Sequence, residues 1–386
     1  MSLRNDLVLF DPKNEVGNPY EEYFLLRNPF PGEGETRFDV CSDQNDLKEE
    51  FVSILKNFSR ETRRLRINGR TGAGKTNILK YFELLTNTAR GAGLIENLHP
   101  IYVHRPGESY FDLHEQIVHE LSALFLKDLF EKLRSNDSKA AQTHSNNALL
   151  EMMIAHTQSR TLPFAIEEER RQDIFVRWLK GQKLAVSDKK QLVPHGTPPS
   201  DITSAALAIR LLEEFLGLLS RHALCSGIVL LFDEFEEIFE GLPRSRQSRY
   251  SQDLRHLFDT LQESVFFVVA TTPEPRDLGQ YPAISRRLGK TMELLPLDDS
   301  VMATDYVLDY LNTGRDMYEV DRTASEHPPL QNRPKENDLS PLTRKDIEKV
   351  FNSLKEKTEE GGLDVLPGYF LPRIRERTRE IVKGSS

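Results

Sequence analysis

The sequence predicts an α/β fold in which a parallel sheet is sandwiched by helices, and three stretches carry that prediction. The first is Gly69–Thr76, G-R-T-G-A-G-K-T, a complete G-x-x-x-x-G-K-[ST] phosphate-loop (P-loop) pattern. It lies between Leu65-Arg66-Ile67-Asn68, which alternates like a short strand, and Asn77–Leu85, whose apolar residues recur at helical spacing. The second is Gly227–Glu234, G-I-V-L-L-F-D-E, a continuous apolar run ending in two acids, as a strand buried on both faces would read. The third is Ser264–Pro273, S-V-F-F-V-V-A-T-T-P, another such run that ends in polar residues.

The chemistry of the first stretch explains its spelling. Gly69, Gly72 and Gly74 let the backbone wrap around phosphate oxygens where a Cβ would clash or forbid the dihedrals. Amide N–H groups of such a nest, together with the positive end of the following helix, hold a β-phosphate. Lys75 supplies a mobile cation to the β- and γ-phosphates, and the Thr76 hydroxyl is a Mg²⁺ ligand. Gly69, Arg70, Thr71, Gly72, Ala73, Gly74, Lys75, Thr76 and Asn77 are therefore expected to cradle the phosphates of a nucleotide. A flexible glycine turn, the bland alternative, does not explain the Lys-Thr ending. Asp233 stands where a carboxylate can hold the Mg²⁺ shell, and Glu234 where one can orient or deprotonate an attacking water. Thr272, after the third stretch, can reach the γ-phosphate or that water.

Taken in order, residues 1–42 form an irregular N-terminal arm with little packing of its own, as in Arg27-Asn28-Pro29-Phe30-Pro31-Gly32. Asp43 or Asp46 caps a helix running to about Phe58. His99–His104 reads as a strand and Phe111 to about Leu133 as a long amphipathic helix. His114 and His119 are five apart, which misses the i, i+4 spacing of paired ligands, so they are expected on the surface or a helix flank. Ser135–Asn147 is a polar loop, helices follow to about Lys180, Ser187–Asp201 is a Pro/Gly-containing loop, and Ser204–Leu224 is another helix. The span from Phe111 to Ser200 exceeds an ordinary crossover, so a helical insertion at about 107–200 is expected. Leu242–Leu257 is a helix carrying Arg244, Arg246, Arg249 and Arg255, either a solvated face or a surface for DNA phosphates or a neighbouring subunit.

Arg286 and Arg287 precede a last strand at Thr291–Leu295, where one of them could serve as a finger on a neighbour's nucleotide or form a surface salt bridge. Beyond Asp298 the pattern is helical: Ser300–Asn312, a charge-rich loop at Asp321–Leu339, a helix over Pro341–Glu359 capped by Thr343, and Gly368–Val382 with Pro372 early in it. The organisation is an arm (1–42), a nucleotide-binding core (43–297) and a helical lid (298–386).

Composition narrows the setting. The formal charge of −9 means that any nucleic-acid binding is local. Cys41 and Cys225 lie far apart with no C-x-x-C pattern, which argues against a disulfide framework or zinc site and fits a reducing, cytoplasmic compartment. No stretch approaches the roughly 20 apolar residues of a membrane span.

The ordered set G-R-T-G-A-G-K-T, L-L-F-D-E, V-V-A-T-T-P, S-R-R-L-G and a helical lid resembles the AAA+ P-loop NTPases, and within them the initiator (origin-recognition)-like group. The resemblance spans about residues 40–386. It implies ATP and Mg²⁺ as cofactors, Thr272 as sensor 1 (where the family often has asparagine), Arg286 or Arg287 as finger, and Arg373 in L-P-R-I-R-E as the lid arginine, sensor 2. A narrower likeness, carried by Val176–Leu184 and G-I-V-L-L-F-D-E-F-E, is to BREX-type bacterial defence ATP-binding proteins. R-N-P-F-P is similar to openings of transposition-regulator and secretion-type AAA+ ATPases. These likenesses imply work on DNA or beside a DNA-acting partner.

The expectation is therefore a Mg²⁺-dependent ATP hydrolase that forms a homo-oligomer and couples turnover to DNA or a DNA-acting partner, in the manner of an anti-phage defence ATPase. Arg244, Arg246 and Arg249 are the candidate DNA contacts. The alternative is a nucleotide-gated assembly switch with slow hydrolysis that controls an effector. A small-substrate kinase is a third reading, disfavoured by the Asp-Glu pair and the lid.

Overall fold

The computed structural model describes residues 18–33, 35, 40–42, 44–58, 61–135, 165–192, 199–238, 242–273, 281–324, 333–361 and 364–385. They form two compact units, one from Lys48–Asn68 and Phe82–Glu293, the other from Met1–Leu47, Gly69–Tyr81 and Leu294–Ser386.

The first unit holds a five-stranded, all-parallel sheet. Its strands are β1 (Arg63–Asn68), β2 (Leu98–Val103), β3 (Gly227–Phe232), β4 (Val265–Thr271) and β5 (Lys290–Glu293), in the spatial order β2-β3-β4-β1-β5. Every residue of β3 and β4 is buried, which is why these two read as unbroken apolar runs. Leu98 to Val103 pair with Gly227 to Phe232 in register, so the end of β2 lies beside the end of β3.

β1 carries Arg63, Arg64 and Arg66 yet sits inside the sheet, between β4 and β5. Leu65 and Ile67 are fully buried, and the guanidinium groups find local acceptors: Arg64 donates to the Phe258 carbonyl and Arg66 Nε to Thr271 Oγ1 at 2.8 Å. Alternation thus satisfies both faces of a strand with half the apolar residues of its neighbours.

Helices cover the sheet. In chain order they are α1 (Asn45–Lys56), α2 (Lys75–Gly91), α3 (Tyr110–Ser135), α4 (Ala165–Leu179), α5 (Val186–Leu192), α6 (Ala205–Arg221), α7 (Arg244–Thr260) and the single turn α8 (Pro282–Ser285). α6 is capped by Ser204, whose side chain accepts from Leu207 N at 3.3 Å. Its apolar face, from Ala208 through Leu219, joins Phe215 to one continuous core with α3, α4, α7 and the sheet.

The insertion is helical where described, through α4 and α5. Ser187–Asp201, expected as a loop, begins as α5, because V-S-D-K-K-Q-L contains no glycine or proline and those residues start only at Pro194. The polar stretch Ser135–Asn147 lies, apart from Ser135 at the end of α3, outside the described residues. His114 is not on a surface or flank: it is fully buried, its Nε2 lies 2.7 Å from the Leu179 carbonyl, and it ties α3 to the end of α4. Burial first holds its pKa down to about 4, so this core histidine is neutral near pH 7. His119 is exposed.

The second unit contains α9 (Ser300–Ala324), α10 (Arg344–Gly361) and α11 (Pro367–Ser385). α9 runs well past the expected end at Asn312, and Asp321–Ala324, expected as loop, are its last turn. Just past Asn312, Arg315 is almost fully buried and donates to the carbonyls of Asp338 (2.8 Å) and Ser340 (3.1 Å). α10 opens with a reciprocal capping box: Asp346 N donates to Thr343 Oγ1 at 3.3 Å and Thr343 N to Asp346 Oδ2 at 3.0 Å. Leu25, Phe30 and Val40 of the N-terminal segment pack into one core with Tyr306, Tyr310, Phe351, Phe370 and Ile374 of these helices.

Candidate functional site

The loop Gly69–Thr76 leaves β1 at its C-terminal end and enters α2 at Lys75. Gly72 and Gly74 have φ of 87° and 95°, the left-handed region that glycine enters without strain. Ala73 N donates to the Arg70 carbonyl at 3.0 Å, which closes the turn, and Lys75 Nζ lies 2.8 Å from the Gly69 carbonyl, folded over its own loop. Asn77 Nδ2 donates to the Val40 carbonyl at 2.6 Å, so it anchors the N-terminal segment to the first turn of α2. The Lys75 side chain thus folds back over the loop that precedes it.

The same unit brings residues of its C-terminal helices to this loop. Gly368 N, in the first turn of α11, donates to the Gly72 carbonyl at 2.9 Å, and Arg70 pairs with Asp364 at 3.3 Å. Arg373 lies one turn further along α11, lining a cavity of about 240 Å³ with Tyr369, Pro372 and Leu354. It pairs with Glu376 on its own helix at 3.0 Å.

The acids after β3 occupy two contrasting environments. Asp233 is only 1% exposed; its N donates to the Val103 carbonyl at 2.9 Å, extending the β2–β3 ladder by one residue. Its Oδ2 accepts from the Tyr102 hydroxyl at 2.8 Å and its Oδ1 from Glu234 N at 3.0 Å. His104 Nδ1 stands 3.9 Å from the same carboxylate. Burial first, and then the negative Asp233, raise the Tyr102 pKa far above its ordinary value, which keeps the phenol a neutral donor.

Glu234 has φ of 47°, an uncommon conformation for a residue with a Cβ, and one that turns the chain sharply at the strand end. Its side chain is partly exposed, and Oε2 accepts from Arg105 Nε at 2.6 Å; Arg105 also reaches Glu237 at 3.4 Å. The Glu237 carboxyl is shifted upward, by desolvation first and then by the Glu234 charge beside it. The buried Asp233 is thus a fixed acceptor and Glu234 a carboxylate held by one exposed guanidinium.

Around the end of β4, Thr271 is fully buried and its Oγ1 accepts from Arg66 and lies 3.3 Å from Asn68 Oδ1. Asn68 Nδ2 in turn donates to the Glu293 carboxylate at 2.8 and 2.9 Å. Thr272 follows this network directly and is half-buried. Arg287 makes a two-point ion pair with Asp259, Nε–Oδ1 2.6 Å and Nη2–Oδ2 2.9 Å, whereas Arg286 is exposed and, among the described residues, bonds within its own turn to the Pro282 carbonyl.

Arg244, Arg246 and Arg249 are exposed on α7. Arg246 and Arg249 line a cleft of about 410 Å³ with Glu108, Asp112 and Asp253, and Arg246 pairs with Glu108 at 3.3 Å. This end of the helix is accordingly charge-balanced rather than a bare basic stripe. Among the described residues no group of three or more His, Cys, Asp or Glu side chains forms a metal site by itself, and no helix is long and apolar enough to cross a membrane.

Tyr102, Arg105, Asp364 and Gly368 are the site neighbours that sequence reasoning missed. Their placement depends on which strand lies beside β3 and on which end of α11 meets the loop, and neither is written in local pattern. No protein-family model and no curated protein matches the chain.

Proposed function

We propose that this chain is a Mg²⁺-dependent ATP hydrolase of the P-loop, AAA+ type, assembling with copies of itself and acting on DNA or a DNA-acting partner. The observation that carries the reading is one of topology. The glycine-bent loop carrying Lys75 and Thr76 follows β1, and the acids Asp233 and Glu234 follow β3, both at the C-terminal edge of an all-parallel sheet. That edge is where parallel α/β sheets bind ligands.

In this reading the loop amides and Lys75 bind the phosphates, and Thr76 and Asp233 hold the metal shell. Bound Mg²⁺ supplies charge neutralisation on the phosphoryl oxygens. Tyr102 fixes the Asp233 carboxylate, so that the metal shell meets a pre-oriented acceptor. Glu234 orients the water for in-line attack and takes its proton. Thr272, next in the chain to the Thr271–Asn68–Arg66 network, would act as the sensor of the γ-phosphate. Arg373 serves the lid side, and Arg286, the more exposed of the pair, is the better finger for a neighbouring subunit.

A second reading, a nucleotide-gated switch with slow turnover, draws support from the Arg105–Glu234 ion pair, because the Arg105 guanidinium, 2.6 Å away, already occupies the carboxylate oxygen that would otherwise meet a water. The steady-state ATPase rate at low salt, with and without double-stranded DNA, separates the two. Strong DNA stimulation supports the DNA-coupled hydrolase; nucleotide-dependent assembly with feeble, DNA-indifferent turnover supports the switch; no ATP binding at all overturns both.

A further inference from the structure

The contact between Gly72 and Gly368 is tighter than a chance meeting of loop and helix. A Cβ on Gly368 would stand 2.8 Å from the Gly72 carbonyl oxygen and 2.9 Å from its Cα, so only glycine allows this backbone approach. On the loop side, Gly72 needs its own glycine for φ of 87°, and the Tyr369 ring closes over it, 3.4 Å from where a Cβ would point. The Arg70–Asp364 pair flanks the contact at 3.3 Å.

The peptide between Gly72 and Ala73 is one rigid plane whose C=O and N–H point in opposite directions. Here both ends are engaged: the Gly72 carbonyl accepts from Gly368 N at 2.9 Å, and Ala73 N donates to the Arg70 carbonyl at 3.0 Å. A phosphate that takes the Ala73 N–H must swing this plane, and the Gly72 carbonyl then turns away from Gly368. The far side of the contact is stiff. Val365, Leu366 and Phe370 are buried, and the Val365 carbonyl accepts from Leu297 N at 2.8 Å, next to the start of the lid helices.

We propose that the Gly72–Ala73 peptide is a lever that reports phosphate binding in the loop to the lid through Gly368, a positioning residue. This rests on the reading of Gly69–Thr76 as a nucleotide-binding loop and adds how occupancy of that loop is transmitted. It is a route through backbone hydrogen bonds, separate from any contact made by Arg373.

The test is residue-resolved amide hydrogen exchange on the full chain, with and without ATP and Mg²⁺. The expected pattern has opposite signs: exchange slows across Gly69–Thr76, while at Gly368 it quickens by about fivefold or more, the lower end of ordinary site-to-site coupling. Gly368→Ala, whose Cβ already forces the two backbones apart, should abolish the Gly368 response and alter ATP affinity more than saturated turnover. If ATP slows exchange in the loop while the Gly368 amide is unchanged or slowed, the lever is wrong and the nucleotide reading stands. If ATP changes neither segment, the nucleotide reading itself is wrong and the lever goes with it. The wild-type comparison decides between these outcomes even where Gly368→Ala fails to fold.

Discussion

Replacing Tyr102 by phenylalanine probes how the buried acid at the strand end is held. The substitution deletes one hydroxyl and leaves the ring, so packing is nearly conserved, and the loss is the 2.8 Å hydrogen bond to Asp233 Oδ2. Asp233 is only 1% exposed, so water does not replace the missing donor. A hydrogen bond to a charged group contributes about 1.5–3 kcal/mol, and an acceptor left unsatisfied inside a protein costs on the same scale. Urea unfolding at neutral pH should therefore show Tyr102→Phe less stable by about 2 kcal/mol with an unchanged m-value. The pH dependence is a second constraint. The Tyr102 pKa is raised in the folded state, so its contribution is fully present below the ordinary tyrosine pKa of about 10 and is lost progressively as pH rises from there through the folded value. The difference between the two proteins should then be flat from about pH 6 to about pH 9. A stability change under about 0.5 kcal/mol, with the Mg²⁺ dependence of turnover also unaltered, would refute the argument that Tyr102 orients Asp233.

Other consequences follow from single contacts. Arg105→Gln frees Glu234 from its ion pair and should raise basal ATP turnover about two- to fivefold, the scale of an exposed pair; a fall in turnover would show that Arg105 aids the reaction instead. His114 has its folded pKa lowered to about 4, so the stability it contributes as a neutral group is present above about pH 6.5 and is lost as pH falls toward 4. Thermal unfolding of the native protein should accordingly weaken between about pH 6.5 and about pH 5 by more than that of His114→Gln, by about 1–2 kcal/mol. Equal slopes would contradict the buried neutral assignment. Gly227→Ala places a Cβ 2.7 Å from the Ser264 carbonyl oxygen and 2.9 Å from Phe58 Cε1, and should cost about 1–3 kcal/mol in a chemical melt, whereas a neutral outcome would mean that the start of β3 shifts freely.

How much of this was legible in the sequence depended on whether the signal was local. β3 and β4 announced themselves because both faces are buried, and α10 because Thr343 marks its start as a cap, although the returning bond from Thr343 N to Asp346 was not foreseen. The glycine loop and the paired acids were equally plain, since both are spelled by consecutive residues. Errors arose where long-range packing decides the outcome. Arg315 looks like a solvent residue until the Asp338 and Ser340 carbonyls close around it, and α9 extends through it for that reason. His114 looks like an ordinary helix histidine until the end of α4 covers it. For the candidate site, the acids could be found but not their keepers: Tyr102 and Arg105 stand beside Asp233 and Glu234 only because β2 is the neighbour of β3, and strand order is a property of the whole chain. The two arginines before β5 were likewise alike in sequence, and only the Asp259 ion pair of Arg287 distinguishes them.

The central claim is that Glu234 activates water for attack on ATP held by the Gly69–Thr76 loop, and it is tested most directly by single-turnover hydrolysis of ATP with Mg²⁺. Wild type and Glu234→Gln should bind ATP with similar affinity, since the substitution keeps the shape of the side chain, while the rate of the chemical step falls by about 10²–10⁴ in the variant. A variant that hydrolyses ATP as fast as wild type, or a folded wild-type protein that neither binds nor hydrolyses it, would contradict the account.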